Sequence, residues 1–188
     1  MPNLYVALIH YPVINKNGEI IASALTNLDL HDISRVAKTY GVGAFYVVTP
    51  LQDQKELAER IISHWVTGAG AGYNPSRREA LELIFLKDSL AEVKEHLSGL
   101  GNGSPKIIVT CARNNYQRIG YGQFREMLKS GEPFLLVFGT AWGLSENFIK
   151  DADFILEPVR GVSDYNHLSV RSAAAIILDR LMGNERMI

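Results

Sequence analysis

Side chains that can accept a proton or contact a ligand are concentrated late in the chain, in residues 161–172. Asp164, Tyr165, Asn166 and His167 follow one another there. A carboxylate or an imidazole can take a proton from a reacting nitrogen, so Asp164 is the first candidate for a general base and His167 the second. The alternative is that Asn166 and His167 hold the shape of the loop, because buried polar groups need hydrogen-bond partners.

A second loop of this kind, residues 139–144, follows the apolar run 134–138. Its glycines, Gly139 and Gly143, let a ligand approach the main chain, although two glycines at this spacing also shape ordinary turns. Trp142 between them has two interpretations as well. It either caps the core, as buried aromatic residues do, or walls a ligand and attracts a positive charge through a cation–π contact.

The elements that must position these loops are short apolar runs alternating with stretches of helical periodicity. Apolar runs at 4–9, 44–49, 81–86, 106–111, 134–138 and 154–158 predict strands, the third of them central in the sheet. Helices are predicted from Asp29 or His31 to Tyr40 and over 52–67, 90–100, 124–128 and 173–182. We expect Leu57 to face the core and the glycine-rich residues 68–75 to be flexible. The alternation predicts one α/β domain over residues 1–188, with a mainly parallel sheet and helices on both faces. Loops after successive parallel strands meet at one sheet edge, so the two loops are expected to form one site.

Composition places the chain among ordinary globular proteins. The 188 residues are 47% hydrophobic and 21% charged, which excludes the disordered class. We expect no membrane span and no signal peptide. The single cysteine, Cys111, cannot form an intramolecular disulfide, which favours a cytoplasmic location. The net charge of −1 lacks the basic excess typical of nucleic-acid-binding proteins, and this counts against an RNA partner.

Three segments of the sequence, 138–144, 155–161 and 165–176, resemble the carboxy-terminal motifs of the SPOUT RNA methyltransferases, and residues 27–35 resemble a first motif. The likeness is greatest to a small bacterial group related to the tRNA (guanine-N1) methyltransferases. It implies a carboxy-terminal trefoil knot, S-adenosylmethionine as cofactor and a structured RNA (tRNA or rRNA) as partner. Methyl transfer from a sulfonium needs no metal, so none is expected. The likeness also implies a homodimer formed through the knot region, with Val170, Ala174 and Ile177 as interface or core positions.

The resemblance assigns the cofactor to loop residues and to apolar side chains that form a slot for adenine. The predicted cofactor residues are Thr110, Phe138, Gly139, Thr140, Trp142, Gly143, Leu156, Pro158, Gly161, Tyr165, Asn166, Leu168, Ser169 and Val170.

Arg35 stands in the first motif. In relatives that methylate ribose, an arginine of this motif helps to activate the 2′-hydroxyl, and an asparagine stands six residues earlier. Asp29 occupies that position here, which favours a base nitrogen over ribose. The plain alternative is a solvated helix arginine, or one paired with Asp32.

The sequence therefore predicts methylation of structured RNA, with Asp164, Arg35 and His167 as catalytic candidates. A non-enzymatic knotted module that binds cofactor or RNA is the first alternative, and an α/β enzyme for another small substrate is the second. Seven loop side chains have the chemistry to contact RNA phosphates or bases. The plain alternative is that they are only solvated. They are Arg77, Arg78, Arg113, Arg118, Arg125, Tyr116 and Tyr121.

Overall fold

Six parallel strands form the central sheet of the protein. The computed structural model describes residues 3–113, 116–163 and 165–183. The sheet order is β5-β4-β1-β7-β6-β8, and every neighbouring pair is parallel. The mainly parallel sheet predicted from the sequence is confirmed. The strands are β1 (Leu4–Ile9), β4 (Phe45–Val48), β5 (Ile84–Lys87), β6 (Lys106–Thr110), β7 (Phe134–Gly139) and β8 (Phe154–Leu156).

A short antiparallel hairpin leaves the sheet after β1. It pairs β2 (Val13–Ile14) with β3 (Ile20–Ile21). Its turn is held by Asn15, whose Oδ1 accepts from the main-chain N–H groups of Asn17 and Glu19.

Helices cover both faces of the sheet, as predicted. The helices are α1 (Asn27–Thr39), α2 (Gln52–Val66), α3 (Ala69–Tyr73), α4 (Pro75–Leu81), α5 (Leu90–Leu97), α6 (Tyr121–Leu128), α7 (Glu146–Lys150) and α8 (Val170–Met182). Alternate residues of the fully buried strand β1 enter two hydrophobic cores, because successive side chains of a strand point to opposite faces. Leu4, Val6 and Leu8 pack with α1, α2, α4, α6 and α8. Tyr5, Ala7 and Ile9 pack with α5, α7 and β2.

In α1 and α8, a capping side chain makes the helix begin earlier in the sequence than the apolar stripe predicts. Thr26 Oγ1 accepts from the Asp29 N–H at 3.2 Å, so α1 begins at Asn27. Ser169 Oγ likewise accepts from the Ser172 N–H at 3.2 Å, and α8 begins at Val170 rather than at 173. Apolar periodicity locates the buried face of a helix, whereas the capping residue decides where the helix starts.

Three local predictions are wrong. Residues 69–73 form helix α3, where Gly70 packs so closely on Trp65 that an added Cβ would lie 2.6 Å from the ring. Strand β5 lies at the edge of the sheet, and it begins only at Ile84 because Leu81 still belongs to α4. Leu57 faces solvent on α2, whose buried residue is its neighbour Ala58.

No helix in the described ranges is long and apolar enough to cross a membrane. The trefoil knot and the single domain over residues 1–188 stay predictions.

Candidate active site

A cavity of about 1000 Å³ lies at the carboxyl ends of β6, β7 and β8. Residues 110–113, 138–144 and 157–159, which end or follow these three strands, form one side of its wall. Residues 166–170, at the start of α8, close a second side. The hairpin turn and the entrance to α1 form the third side, through Asn15, Lys16, Ile21, Ser23, Ala24, Thr26 and Asp29. This is the sheet edge at which ligands bind in open α/β folds.

The 139–144 loop is fixed by hydrogen bonds to β1 and the hairpin. Thr140 Oγ1 donates to the Ile9 carbonyl at 2.9 Å, and the Trp142 N–H donates to the Ile14 carbonyl at 3.1 Å. The Ile14 N–H in turn donates to the Gly143 carbonyl at 3.0 Å. These contacts tie the loop to the end of β1 and to the hairpin.

The two glycines of this loop have different roles. An added Cβ at Gly139 would lie 2.8 Å from the Leu144 nitrogen, so Gly139 is required by the turn itself. Gly143 has a φ of +100°, which favours glycine, and an added Cβ there would meet nothing within 4 Å. Gly143 therefore combines a backbone shape that only glycine adopts easily with open space beside the cavity.

The loop after β6 is tied to the same structure. Thr110 Oγ1 donates to the Val137 carbonyl at 3.1 Å, and Arg113 Nη2 donates to the Leu144 carbonyl at 2.5 Å. Arg113 is consequently used to join two loops of the cavity wall, although the sequence suggested it for RNA contact.

The loop before α8 presents polar side chains to the cavity. Asn166, His167, Leu168 and Ser169 line the wall and are exposed to solvent. Neither Asn166 nor His167 forms a side-chain hydrogen bond within the described ranges, so both are available to a ligand there. Asp164, the first candidate for the general base, lies outside the described residues.

Three predicted cofactor residues lie away from the cavity wall. Leu156 is fully buried at the end of β8, where it pairs with Thr110. Gly161 and Tyr165 do not line the cavity, and the Tyr165 ring lies 6.5 Å from that of His167. The other predicted cofactor residues line the cavity. Their assignment to the cofactor stays a prediction.

Asp29 is a cavity residue that the sequence did not place among the site residues. Its carboxylate is mostly buried and accepts a hydrogen bond from Thr26 Oγ1 at 2.6 Å. Arg171 Nε lies 3.5 Å from the other carboxylate oxygen. The first motif drew attention to this position, but the neighbouring wall residue Ser23 carried no sequence signal.

Arg35 does not line the cavity. It is exposed on α1 and borders a separate surface depression, together with Asp32, Tyr40 and Arg171. Asp32 pairs with Arg171, and the Arg35–Asp32 pair that was the plain alternative is not among the ion pairs of the described residues. Within the described ranges the Arg35 side chain has no ionic partner.

Several of the other arginines are engaged by neighbouring groups of the protein. The Arg77 guanidinium stacks on Trp65 at 4.3 Å, and Arg78 pairs with Glu82 at 2.8 Å. Arg125 donates to the Arg180 carbonyl. These contacts favour structural roles for the three arginines.

Comparison with known proteins identifies the family. A family model described as SAM-dependent RNA methyltransferase matches residues 3–183. A protein of Oleidesulfovibrio alaskensis named tRNA (guanine-N(1)-)-methyltransferase is 43% identical over 182 residues, which are 97% of this chain and 42% of that protein. An uncharacterized protein of Aquifex aeolicus is 40% identical over 98% of this chain and 90% of its own length.

The fold is shared with a solved structure that holds the cofactor. It is the SpoU methyltransferase AviRb of Streptomyces viridochromogenes in complex with AdoMet. The TM-score is 0.54 at 18% identity, over 97% of this chain and 60% of that chain. The family and the cofactor inferred from the sequence motifs are confirmed, and this chain belongs to the S-adenosylmethionine-dependent RNA methyltransferases.

Proposed function

We propose that this protein transfers a methyl group to a base nitrogen of guanine in tRNA, with N1 as the acceptor. The observation that carries the proposal is the cavity at the carboxyl ends of β6, β7 and β8, built by the segments whose motifs resemble SPOUT enzymes. The acceptor follows from the name of the Oleidesulfovibrio relative, of which this chain spans 42%. Family membership favours an enzyme over the non-enzymatic module.

The cavity wall fits S-adenosylmethionine. Pro158, Val159, Leu168 and Val170 supply apolar surface suited to adenine, and the loops after β6 and β7 supply main-chain groups at its edge. Ligand sites of this kind are mostly apolar with a few placed polar groups. When bound, the cofactor supplies a methyl group on a positively charged sulfur, which needs no further activation.

The chain must therefore orient the acceptor and remove its proton. N1 of guanine carries a proton that leaves when the new bond forms, and a carboxylate or imidazole in the site accepts it. Asp164 is our first candidate for this base, by resemblance to the guanine-N1 enzymes. His167 is the second, and it lies on the cavity wall. Asp29 is a poorer candidate, because Thr26 and Arg171 already engage its carboxylate.

The RNA side of the site is the lip formed by Trp142 and the hairpin turn. Trp142 is 66% exposed although it lines the cavity. Lys16 lines the same cavity, is exposed, and has no side-chain partner within the described ranges. Proteins that read unpaired RNA stack bases on aromatic rings and neutralise phosphates with cations. We assign Trp142 to the target base and Lys16 to its phosphate.

We further propose a cytoplasmic homodimer that pairs through the knot region. Sedimentation at micromolar concentration should show a species of twice 20.9 kDa. A monomer at every concentration would refute the dimer without touching the proposed chemistry.

Two substitutions separate base methylation from ribose methylation. Asp164→Asn keeps the size and polarity of the side chain but removes its basicity. It should lower turnover by roughly 10²–10⁴-fold and leave cofactor affinity nearly unchanged. Arg35→Ala is the comparison, because arginine serves the ribose-methylating relatives. Full turnover in Asp164→Asn together with loss of turnover in Arg35→Ala would contradict the proposal and favour ribose chemistry.

A further inference from the structure

His10 is a buried polar residue at the carboxyl end of β1 that the proposed chemistry does not use. It directly follows β1, and its side chain is almost completely buried, with 1% of the residue exposed. Its main-chain N–H donates to the Val48 carbonyl at 2.9 Å, and its carbonyl accepts from the Ser23 N–H at 2.8 Å. A buried histidine ring in an apolar sheet needs hydrogen-bond partners.

The ring begins a row of short polar contacts that ends on the cavity wall. His10 Nδ1 lies 3.1 Å from Ser23 Oγ, which lies 2.5 Å from Thr140 Oγ1. Thr140 Oγ1 lies 2.9 Å from the Ile9 carbonyl oxygen. Ser23 and Thr140 both line the cavity.

One assignment of donors gives every contact of the row a hydrogen. The Ile9 carbonyl can only accept, so Thr140 donates its hydroxyl proton there. Ser23 Oγ lies 2.5 Å from Thr140 Oγ1 and 3.4 Å from its weaker acceptor, the His10 carbonyl oxygen. If Ser23 donates to Thr140, His10 Nδ1–H donates to Ser23. This is the assignment in which each contact holds one hydrogen. Nε2 of His10 is buried and has no hydrogen-bond partner within the described ranges. Nδ1 is therefore the ring nitrogen that takes part in the row.

We propose that His10 is a positioning residue for the cofactor loop, and that it acts by donating from Nδ1 through Ser23 to Thr140. Thr140 opens the 139–144 loop, and Ser23 belongs to the segment between the hairpin and α1. The row thus fastens two walls of the cavity to the central strand. The inference rests on the proposed cofactor cavity. Burial also lowers the pKa of His10, which agrees with a neutral ring.

Matched substitutions test which nitrogen matters. Asparagine can place its Nδ2 donor where His10 Nδ1 lies, whereas glutamine places a polar group where Nε2 lies. His10→Asn should therefore keep S-adenosylmethionine affinity within about twofold of the parent. His10→Gln and His10→Leu should weaken it about tenfold, the worth of about one buried hydrogen bond. His96→Leu is the control, because His96 contacts Tyr46 and does not line the cavity.

A double substitution tests the row itself. If His10 acts through Ser23, His10→Leu should add less than about twofold to the loss already caused by Ser23→Ala. Additive losses would overturn the row, and rescue by His10→Gln rather than His10→Asn would overturn the assignment of Nδ1.

Nitrogen NMR of the parent protein provides a readout that needs neither ligand nor activity. We expect a neutral ring protonated at Nδ1, and a ring protonated at Nε2 would refute the proposal. If the parent protein shows the expected ring but does not bind S-adenosylmethionine, the proposed cofactor cavity fails while the row stands.

Discussion

Arg171 at the start of α8 forms an ion pair with Asp32 on α1, with 3.1 Å between Nη1 and Oδ2. The same guanidinium contacts the mostly buried Asp29 through Nε at 3.5 Å. One arginine thus ties the carboxy-terminal helix to the helix that forms the third wall of the cavity. The Arg171–Asp29 contact should contribute to the stability of the fold, because little solvent reaches the Asp29 carboxylate to replace a lost partner.

Replacing Arg171 by methionine should lower the free energy of unfolding by about 1–3 kcal/mol, since it leaves the Asp29 carboxylate buried with fewer partners. Urea unfolding measures this change. Lys150→Met is the matched control. The Lys150–Glu146 pair is 3.9 Å long and about two-thirds exposed on both sides, so its loss should cost less than about 0.5 kcal/mol. Equal effects of the two substitutions would contradict the structural role of Arg171.

Adding one methyl group at Gly139 should disturb the cavity through the turn. In Gly139→Ala the new Cβ meets the Leu144 nitrogen at 2.8 Å, so the loop must shift. We expect a loss of about 1–3 kcal/mol in stability and a weaker cofactor affinity by calorimetry.

Gly122→Ala provides the control for that substitution. Gly122 lies within α6, and an added Cβ there meets nothing within 4 Å. This change should stabilise the protein by about 0.5–1 kcal/mol, because alanine is the better helix former. If Gly139→Ala behaved like Gly122→Ala, the close packing of the turn would be disproved.

Trp142→Ala should separate RNA binding from cofactor binding. Stacking of a base on an aromatic ring is worth about 1–3 kcal/mol, so RNA affinity should fall by about tenfold or more. Cofactor affinity should change little if the ring faces the RNA side. Tyr73→Ala is the control, because Tyr73 is 86% exposed but does not line the cavity. A large loss of cofactor affinity with unchanged RNA binding would show that Trp142 contacts the cofactor and not the RNA.

Stability should fall in mildly acidic solution because of two histidines. Burial lowers the pKa of both His10 and His31, and the nearby Arg77 lowers the pKa of His31 further. Below a pH of about 6.5 the unfolded imidazoles take up protons that the folded ones do not, so the free energy of unfolding decreases as pH falls. Above that pH the contribution is constant.

His10→Asn should remove the His10 part of this slope, at most about 1.4 kcal/mol per pH unit. Urea titrations at pH 7.5 and 5.5 would measure it, at roughly one unit to either side of the ordinary histidine pKa. Identical slopes in the parent and the variant would mean that His10 titrates normally.

The parts of this structure that the sequence predicts are those that depend on local pattern. The apolar runs predict β1, β4, β6 and β7, and the glycine-bearing loops after two successive strands predict one site. The family motifs then identified S-adenosylmethionine as the cofactor. Helix starts were missed because Thr26 and Ser169 set them through single hydrogen bonds.

The third wall of the cavity could not be predicted. Ser23 and Asp29 reach the cavity because the hairpin and α1 fold over the end of β1, and no spacing along the chain records that contact. The row from His10 to Thr140 joins residues 130 positions apart, so tertiary packing alone reveals it. For Arg35 the error is a false positive. The motif suggested it as a site residue, but the fold places it in a separate surface depression.

The most direct test of the proposed function is the position of a transferred methyl group. The protein is incubated with tRNA that lacks the modification and with S-adenosylmethionine carrying an isotope-labelled methyl group. The RNA is then digested to nucleosides for mass spectrometry. We predict label in the base fragment of guanosine, as N1-methylguanosine. Label on ribose, or on no nucleoside while the cofactor binds, would contradict the proposal.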